Sequence, residues 1–163
     1  MPLSNGLPAG AHLFRPQGNP RGWVLKSVLL NGRDITDSPV ELRAGQTLTG
    51  LSVVFTDRLT EVNGTITDDR NSPVTEYTVL AFPEDQSLWR AQARQIMTTR
   101  PDQNGRYQIR GLPPGRYYLV AVDPAEQGEW FEPTYLSAHV SGATSVSLAD
   151  GDVKTQDFKL RVQ

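Results

Sequence analysis

Apolar and polar residues alternate along most of the chain, and this alternation predicts short β-strands. Arg106–Arg110 alternates strictly, as expected for a strand with one buried face. The segment 116–122 is apolar on both faces, which is typical of a central strand. Other strands are predicted where apolar residues share one parity: Val40 and Leu42; Leu51, Val53 and Phe55; Val146 and Leu148; and Phe158, Leu160 and Val162.

Turn-forming residues separate these predicted strands. They are Asn31-Gly32, Ala44-Gly45, Asn63-Gly64, Asp102–Gly105, Pro113–Gly115 and Asp150-Gly151. The 14 Gly and 12 Pro in 163 residues agree with many tight turns. Strands spaced about ten residues apart predict an all-β sandwich.

One segment has weak helical periodicity. Trp89, Ala93 and Ile96 recur at helical spacing. We favour a loop that leads into a strand at 95–100, with a single helical turn near Ser87. No other part of the sequence predicts a helix.

A repeated segment divides the chain. Gly6-Leu-Pro-Ala-Gly10 matches Gly111-Leu-Pro-Pro-Gly115 at an offset of 105 residues, and Pro39–Gly45 matches Ser145–Gly151 at 106. Residues 1–58 are therefore predicted to be the C-terminal half of a first β-sandwich module, and residues 59–163 a complete second module. We expect the half module to pack on the second one, to borrow a strand from another chain or to stay partly mobile. We also expect the chain to be part of a longer protein.

The second module resembles a known family. Its opening reads V-x-G-x-I-x-D followed by P-V over Glu61–Val74, and residues 102–119 read D-x-x-G-x-Y-x-I-x-G-L-P-P-G-x-Y-x-L. These motifs are similar to those of the carboxypeptidase regulatory-like domain. The resemblance implies an all-β, transthyretin-like or Ig-like sandwich of seven strands. It also implies tandem modules in a bacterial protein that is periplasmic, secreted or on the cell surface.

The residues of these motifs are predicted to shape turns and the core. Gly64 permits a bulge or close packing within a strand, and Gly105 permits a positive φ in a hairpin turn. Tyr117 and Leu119 are expected to point inward. The predicted fold-determining turn residues are Gly64, Asp102, Gly105, Gly111, Leu112, Pro113, Pro114 and Gly115.

Composition argues against several classes of function. With 16 Lys and Arg against 18 Asp and Glu, the net charge of -2 speaks against nucleic-acid binding through a basic surface. The absence of cysteine excludes disulfides, thiolate metal sites and cysteine nucleophiles. No apolar run is long enough to insert in a membrane.

The sequence also lacks recognisable catalytic and metal-binding motifs. His12 and His139 lack metal-site spacing, and no nucleophile elbow or phosphate loop occurs. The carboxylate clusters at 84–85, 123–132 and 150–152 are typical of solvated turns. We therefore assign no catalytic residue, no metal and no cofactor, and predict that the chain is not an enzyme.

Aromatic residues give the strongest binding hypothesis. Exposed rings can stack on the apolar faces of sugars. The candidates are Trp89, the strongest of them because it lies in a predicted loop, and the local group of Trp130, Phe131 and Tyr135. Against this, Trp23 and Trp130 occupy matching positions of the repeat, as packing residues would, and we prefer a core role for these rings over a binding role.

The preferred function is therefore a non-catalytic structural or accessory module. It would act as a spacer, a stabiliser or a protein-docking unit of a larger secreted, periplasmic or surface protein. The alternative is a carbohydrate-binding module that uses Trp89, Trp130 and Tyr135. The predicted partners are neighbouring domains or other proteins, glycans in the alternative, and a second chain through strand addition.

Overall fold

The computed structural model describes residues 6–161. The chain divides into two compact units, Met1–Asp57 and Arg58–Gln163, called here the N-terminal unit and the C-terminal unit. Strands dominate both units, which confirms the predicted all-β class. The part of the last predicted strand at Val162 lies outside the described residues.

The described part of the N-terminal unit contains five strands in two small sheets. The strands are β1 (Gly10–His12), β2 (Val24–Leu30), β3 (Arg33–Asp34), β4 (Val40–Leu42) and β5 (Leu51–Thr56). β1 pairs with β4, and the other sheet has the order β3-β2-β5, with antiparallel pairing throughout. Asn31 and Gly32 both have positive φ, as a two-residue hairpin turn between β2 and β3 requires.

The core of the N-terminal unit is thin and partly polar. Its buried apolar side chains among the described residues are Val28, Ile35 and Leu42. The buried Thr36 uses its Oγ1 to accept a hydrogen bond of 2.8 Å from the Val28 N–H. Val53 lies opposite Val28 on the same sheet face, yet 40% of it is exposed. The apolar face of this sheet is therefore only partly covered.

The C-terminal unit contains two larger sheets. One sheet is antiparallel with the order β11-β10-β7-β8. In the other, β6 pairs with β9 on one side and runs parallel to β12 and β13 on the other. The strands are β6 (Glu61–Thr67), β7 (Thr78–Pro83), β8 (Met97–Thr99), β9 (Arg106–Arg110), β10 (Gly115–Val122), β11 (Thr144–Leu148), β12 (Val153–Thr155) and β13 (Phe158–Lys159).

Two apolar clusters cover opposite faces of the first sheet. The inner cluster lies between the two sheets and contains Val62, Ile66, Val79, Ala81, Tyr107, Ile109, Leu112, Tyr117, Leu119 and Leu148. The outer cluster contains Leu80, Phe82, Trp89, Ala93, Ile96, Val120, Val122 and Leu136. Every residue of β7 is buried, and β10 supplies side chains to both clusters. This confirms that 116–122 is a central strand with two buried faces.

The helical segments lie mainly on the outer cluster. A 3-10 turn at Gln86–Leu88 and the strand at Met97–Thr99 confirm the preferred loop-and-strand prediction for that region. The helix α1 (Pro133–His139) was not predicted. The helix has only seven residues and one fully buried side chain, Leu136. It is therefore too short for a helical repeat of apolar residues to be detected in the sequence. Further 3-10 turns lie at Glu129–Phe131 and Val140–Gly142.

The Asp102–Gly105 turn has the local hydrogen bonds of a hairpin turn but connects two different sheets. The Gly105 N–H donates to the Asp102 carbonyl at 2.9 Å, the Asp102 N–H donates to the Arg106 carbonyl at 2.8 Å, and Gly105 has the predicted positive φ of 72°. Asp102 Oδ1 also accepts hydrogen bonds from the N–H groups of Asn104 and Arg106 at 2.8 and 3.0 Å. β8 before the turn belongs to the first sheet, whereas β9 after it pairs with β6 in the second, because an Asp-x-x-Gly turn fixes the local bend and not the next pairing partner.

Gly64 allows the last strands to approach β6. A Cβ atom at this position would lie 2.0 Å from the Gln156 carbonyl oxygen, so no side chain fits. The Tyr107 hydroxyl donates a hydrogen bond to that same carbonyl. One residue later, Asp157 accepts a bond of 2.8 Å from the Thr65 N–H. The interruption between β12 and β13 is thus tied to β6 at several points.

The 111–115 turn is held by side chains from elsewhere in the unit. Leu112 is buried in the inner cluster, and its carbonyl accepts a bond of 2.6 Å from the buried Thr60 hydroxyl. The Tyr117 hydroxyl donates to the Pro113 carbonyl at 2.6 Å. Tyr117 and Leu119 then point into the inner cluster, as predicted.

Candidate functional site

The candidate site is a group of half-buried rings on the segment that follows β10. We call it the aromatic face and define it as Trp130, Phe131, Tyr135 and His139. Gly128 has a φ of 96°, which lets the chain turn into the 3-10 segment that carries Trp130 and Phe131. Pro133 then occupies the first turn of α1, where its missing N–H costs nothing.

The rings of the aromatic face contact one another in two pairs. The centroids of Trp130 and Phe131 are 6.2 Å apart with an interplanar angle of 49°. Those of Tyr135 and His139 are 4.4 Å apart at 39°, because the two residues are one helical turn apart on α1. His139 Nδ1 also lies 2.8 Å from the Tyr135 carbonyl oxygen.

The inner edges of these rings help to close the outer cluster. Trp130, Phe131 and Tyr135 all pack against it while keeping part of their surface in solvent. They therefore contribute to folding whether or not they bind a ligand. The group of Trp130, Phe131 and Tyr135 could be found in the sequence, whereas the addition of His139 depends on the unpredicted helix.

Two carboxylates act electrostatically on the Tyr135 hydroxyl. Partial burial raises the pKa of Tyr135, and the charges of Glu129 and Asp123 raise it further. Both carboxylates lie on exposed residues. The aromatic face thus combines accessible ring surface with hydrogen-bond acceptors, a combination suited to a polyhydroxylated or a cationic ligand.

Trp89 lies in the core, which agrees with the preferred packing role and contradicts its use as an exposed binding ring. Only 7% of the residue is exposed, and its Nε1–H donates a hydrogen bond of 2.7 Å to the Pro83 carbonyl. Its ring meets Phe82 edge-on at 5.7 Å. Although Trp89 lies in a loop, its ring is not exposed, because this loop folds back over the outer cluster. Trp23, expected to be a packing residue, is 43% exposed in the N-terminal unit.

The other polar candidates serve local turns. His12 Nε2 lies 2.7 Å from the Pro8 carbonyl oxygen. Asp85 accepts hydrogen bonds from the Ser87 hydroxyl and N–H, and these bonds lower its pKa. Asp152 accepts a bond from the Ala149 N–H at 2.9 Å. Within residues 6–161, no group of three or more His, Cys, Asp or Glu residues is placed to hold a metal ion.

The described part of the chain has no helix with the length and apolar character needed to cross a membrane.

Comparison with known proteins identifies the C-terminal unit. The family model of the carboxypeptidase regulatory-like domain matches residues 61–161. No curated protein matches the sequence.

Several solved structures are similar in fold. A streptococcal ancillary pilin shares 19% identity over 74% of this chain and 38% of its own, with a TM-score of 0.43. The minor pilin of Streptococcus agalactiae shares 13% over 74% and 57%, with a TM-score of 0.39. Catechol 1,2-dioxygenase from Acinetobacter sp. ADP1 shares 14% over 64% and 52%, with a TM-score of 0.37. This chain therefore spans less than two thirds of each of these three proteins.

Proposed function

The chain belongs to the carboxypeptidase regulatory-like domain family, whose model covers residues 61–161, and from this premise we propose that it is a non-catalytic accessory module. It acts as a rigid spacer and docking unit within a larger extracytoplasmic protein. Both the absence of catalysis and the location are parts of this proposal.

The observation that carries the proposal is the double burial of the central sheet. Apolar clusters cover both faces of β7 and β10, so the sheet cannot flex without breaking contacts on one side. The motif residues Gly64, Leu112 and Tyr117 are used in packing and turn hydrogen bonds. A module built in this way is suited to holding its neighbours at a fixed distance.

A distance measurement between spin labels tests this rigidity. Because the chain has no cysteine, labels can be attached at Arg110→Cys in β9 and at Arg100→Cys directly after β8, two exposed positions that belong to different sheets. We expect a narrow distance distribution, as narrow as that of a control pair at Arg106→Cys and Arg110→Cys within β9. A broad or bimodal distribution only for the pair across the sheets would contradict a rigid spacer.

The aromatic face supports a second candidate function, carbohydrate binding. Trp130 and Tyr135 are each partly exposed, and the charges of Glu129 and Asp123 act on the Tyr135 hydroxyl. Rings stack on sugars while carboxylates accept hydrogen bonds from hydroxyl groups. Trp89 has no part in this version of the hypothesis, because it is buried.

Tryptophan-fluorescence titration with soluble glycans separates the two candidates. Saturable binding that is lost in Trp130→Ala but kept in Trp23→Ala would favour the carbohydrate-binding module. Trp23 is the matched control because it is exposed in the other unit. Circular dichroism of each variant must show an intact fold. No response across the glycan panel, together with a narrow label distribution, would support the accessory role.

A further inference from the structure

One edge of the C-terminal unit lacks the features that keep sheet edges from pairing. β11 reads Thr-Ser-Val-Ser-Leu and has no charge, proline or glycine. It ends its sheet, and no strand of the described residues pairs with its outer side. Thr144, Ser145 and Ser147 are exposed. Such an edge is a ready site for strand addition.

The other three edges of this unit are protected. β9 has exposed arginines at both ends, Arg106 and Arg110. β8 has only three residues, and β12 and β13 are short, separated by an interruption and carry Lys154 and Lys159. Charge, shortness and irregularity are all means by which proteins block edge pairing. The contrast marks β11 as the edge left available.

The backbone of β11 presents its free hydrogen-bonding groups in a defined order. The Arg116 carbonyl accepts a hydrogen bond from the Glu84 N–H on the β7 side. Because the backbone groups of successive residues in an antiparallel strand point to opposite sides, those of Tyr117 point toward β11. The backbone N–H and C=O groups of its partner Val146 therefore point toward β10. It follows that the N–H and C=O groups of Ser145 and Ser147 point away from the sheet.

We infer that β11 pairs antiparallel with β11 of a second copy of this chain. The strand is self-complementary about Val146: under two-fold symmetry, Val146 meets its counterpart, Ser145 meets Ser147, and Thr144 meets Leu148. Ser145 and Ser147, whose backbone groups point outward, form the hydrogen-bonded pairs. The result is a continuous sheet of about eight strands across the two copies, four from each.

The paired segment 144–148 contains no charged residue. The carboxylates nearest in sequence, Asp150 and Asp152, lie in the turn after β11 and outside this pairing. The small serine side chains also leave room for the long neighbouring residues Arg116 and Tyr118, which pair with Ser147 and Ser145 within each copy.

A charge-exchange experiment on the full chain tests the inference. Sedimentation equilibrium should show the wild-type chain passing from monomer to dimer as its concentration rises. Ser145→Lys with Ser147→Lys places lysine opposite lysine twice, and should weaken the dimer by roughly tenfold or more. The corresponding pair of glutamate substitutions should do the same. An equal mixture of the lysine and glutamate variants should form a heterodimer, detected by native mass spectrometry.

The matched control is Ser52→Lys on β5, the uncharged edge strand of the N-terminal unit. It should leave the dimer unchanged. The inference is overturned if the wild-type chain stays monomeric at millimolar concentration. It is also overturned if the natively folded lysine variants dimerise as tightly as the wild type, or if only Ser52→Lys abolishes the dimer. None of these outcomes depends on the label distances or the glycan titration, so this inference and the proposed function can fail separately.

Discussion

The two units share one local structure and differ in nearly everything around it. In the N-terminal unit, β1 pairs with β4 so that Gly10 lies opposite Leu42. In the C-terminal unit, β10 pairs with β11 so that Gly115 lies opposite Leu148. The preceding glycines, Gly6 and Gly111, have φ values of 74° and 82°. The sequence repeat is thus matched by equivalent strand pairing.

Beyond this pair, the units use the corresponding chain segments differently. After the first strand, the N-terminal unit forms β2, whereas the C-terminal unit forms the 3-10 turn and α1 at 129–139. The final strand β5 runs antiparallel to β2, whereas β12 and β13 run parallel to β6. The comparison teaches that a short motif fixes a turn and a pairing, while the available partners decide the sheet. That the N-terminal unit is half a module remains a prediction.

The units also differ in the size of their cores. Among the described residues, three apolar side chains are buried in the N-terminal unit and eighteen in the C-terminal unit. Apolar burial is the main favourable term in folding. We therefore expect the N-terminal unit to be the less stable part of the chain, and the following substitutions test this difference.

The largest effect is expected from Gly64→Ala in the C-terminal unit. Its Cβ would lie 2.0 Å from the Gln156 carbonyl oxygen and 2.7 Å from the carbonyl carbon, both backbone atoms that cannot move without breaking the β6 pairing. We expect the free energy of unfolding to fall by about 3 kcal/mol or more, measured by urea denaturation. Gly142→Ala is the control, since nothing lies within 4 Å of its Cβ. Equal stability of the two variants would contradict the packing argument.

The repeat-equivalent leucines provide the next test. Leu148→Ala removes a side chain from the ten-residue inner cluster and should cost about 3 kcal/mol. Leu42→Ala should cost about half as much, because its few buried neighbours leave a cavity that can collapse. Amide hydrogen exchange at Leu119 and Val28 would report on each unit separately. Equal losses would show that the two cores are equally well packed.

A smaller effect is expected from Thr36→Val in the N-terminal unit. This change leaves the buried Val28 N–H without its acceptor, at a cost of about 1 to 2 kcal/mol. Thr36→Ser keeps the hydroxyl and should be closer to wild type. Faster amide exchange at Val28 with unchanged exchange at Leu119 is the expected result. An unchanged rate at Val28 would show that the threonine hydroxyl is not needed there.

The smallest effect concerns alkaline pH and the C-terminal unit alone. Burial raises the pKa of Tyr107, and the charge of Asp157 raises it further. In the unfolded chain this phenol ionises near its ordinary pKa of about 10, whereas in the folded unit it stays neutral. The stabilisation is therefore complete below pH of about 10 and is lost as the pH rises above it. Tyr107→Phe should reduce this alkaline loss, as measured by urea denaturation at several pH values. The same slope in both proteins would contradict the assignment.

The sequence pattern predicted the positions of the strands better than it predicted which strands pair with one another. Alternation located β9 and β10, and the Gly111–Gly115 motif located the tight turn before β10. The Asp102–Gly105 turn was recognised as a turn, but its role between two sheets depends on pairings with β6 and β7 that are distant in sequence. Contacts at such separations leave no local pattern in a single sequence.

The candidate site was predicted only in part. Trp130, Phe131 and Tyr135 lie together because they are close in sequence, and the structure adds His139 through α1. Trp89 is separated from them by tertiary packing, which buries it against Phe82. A ring's accessibility depends on what folds over it, and composition and spacing do not specify that.

The parallel pairing of β6 with β12 and β13 has a consequence for how the chain is made. The Thr65 N–H donates a hydrogen bond to Asp157, a residue 92 positions later. The first strand of the C-terminal unit, β6, therefore cannot complete its pairing on this side until residues 153–159 have been synthesised. The strands of the N-terminal unit all pair within residues 10–56. During synthesis, the smaller unit can therefore form early, whereas one side of β6 stays open to wrong partners until residues 153–159 are available to pair with it.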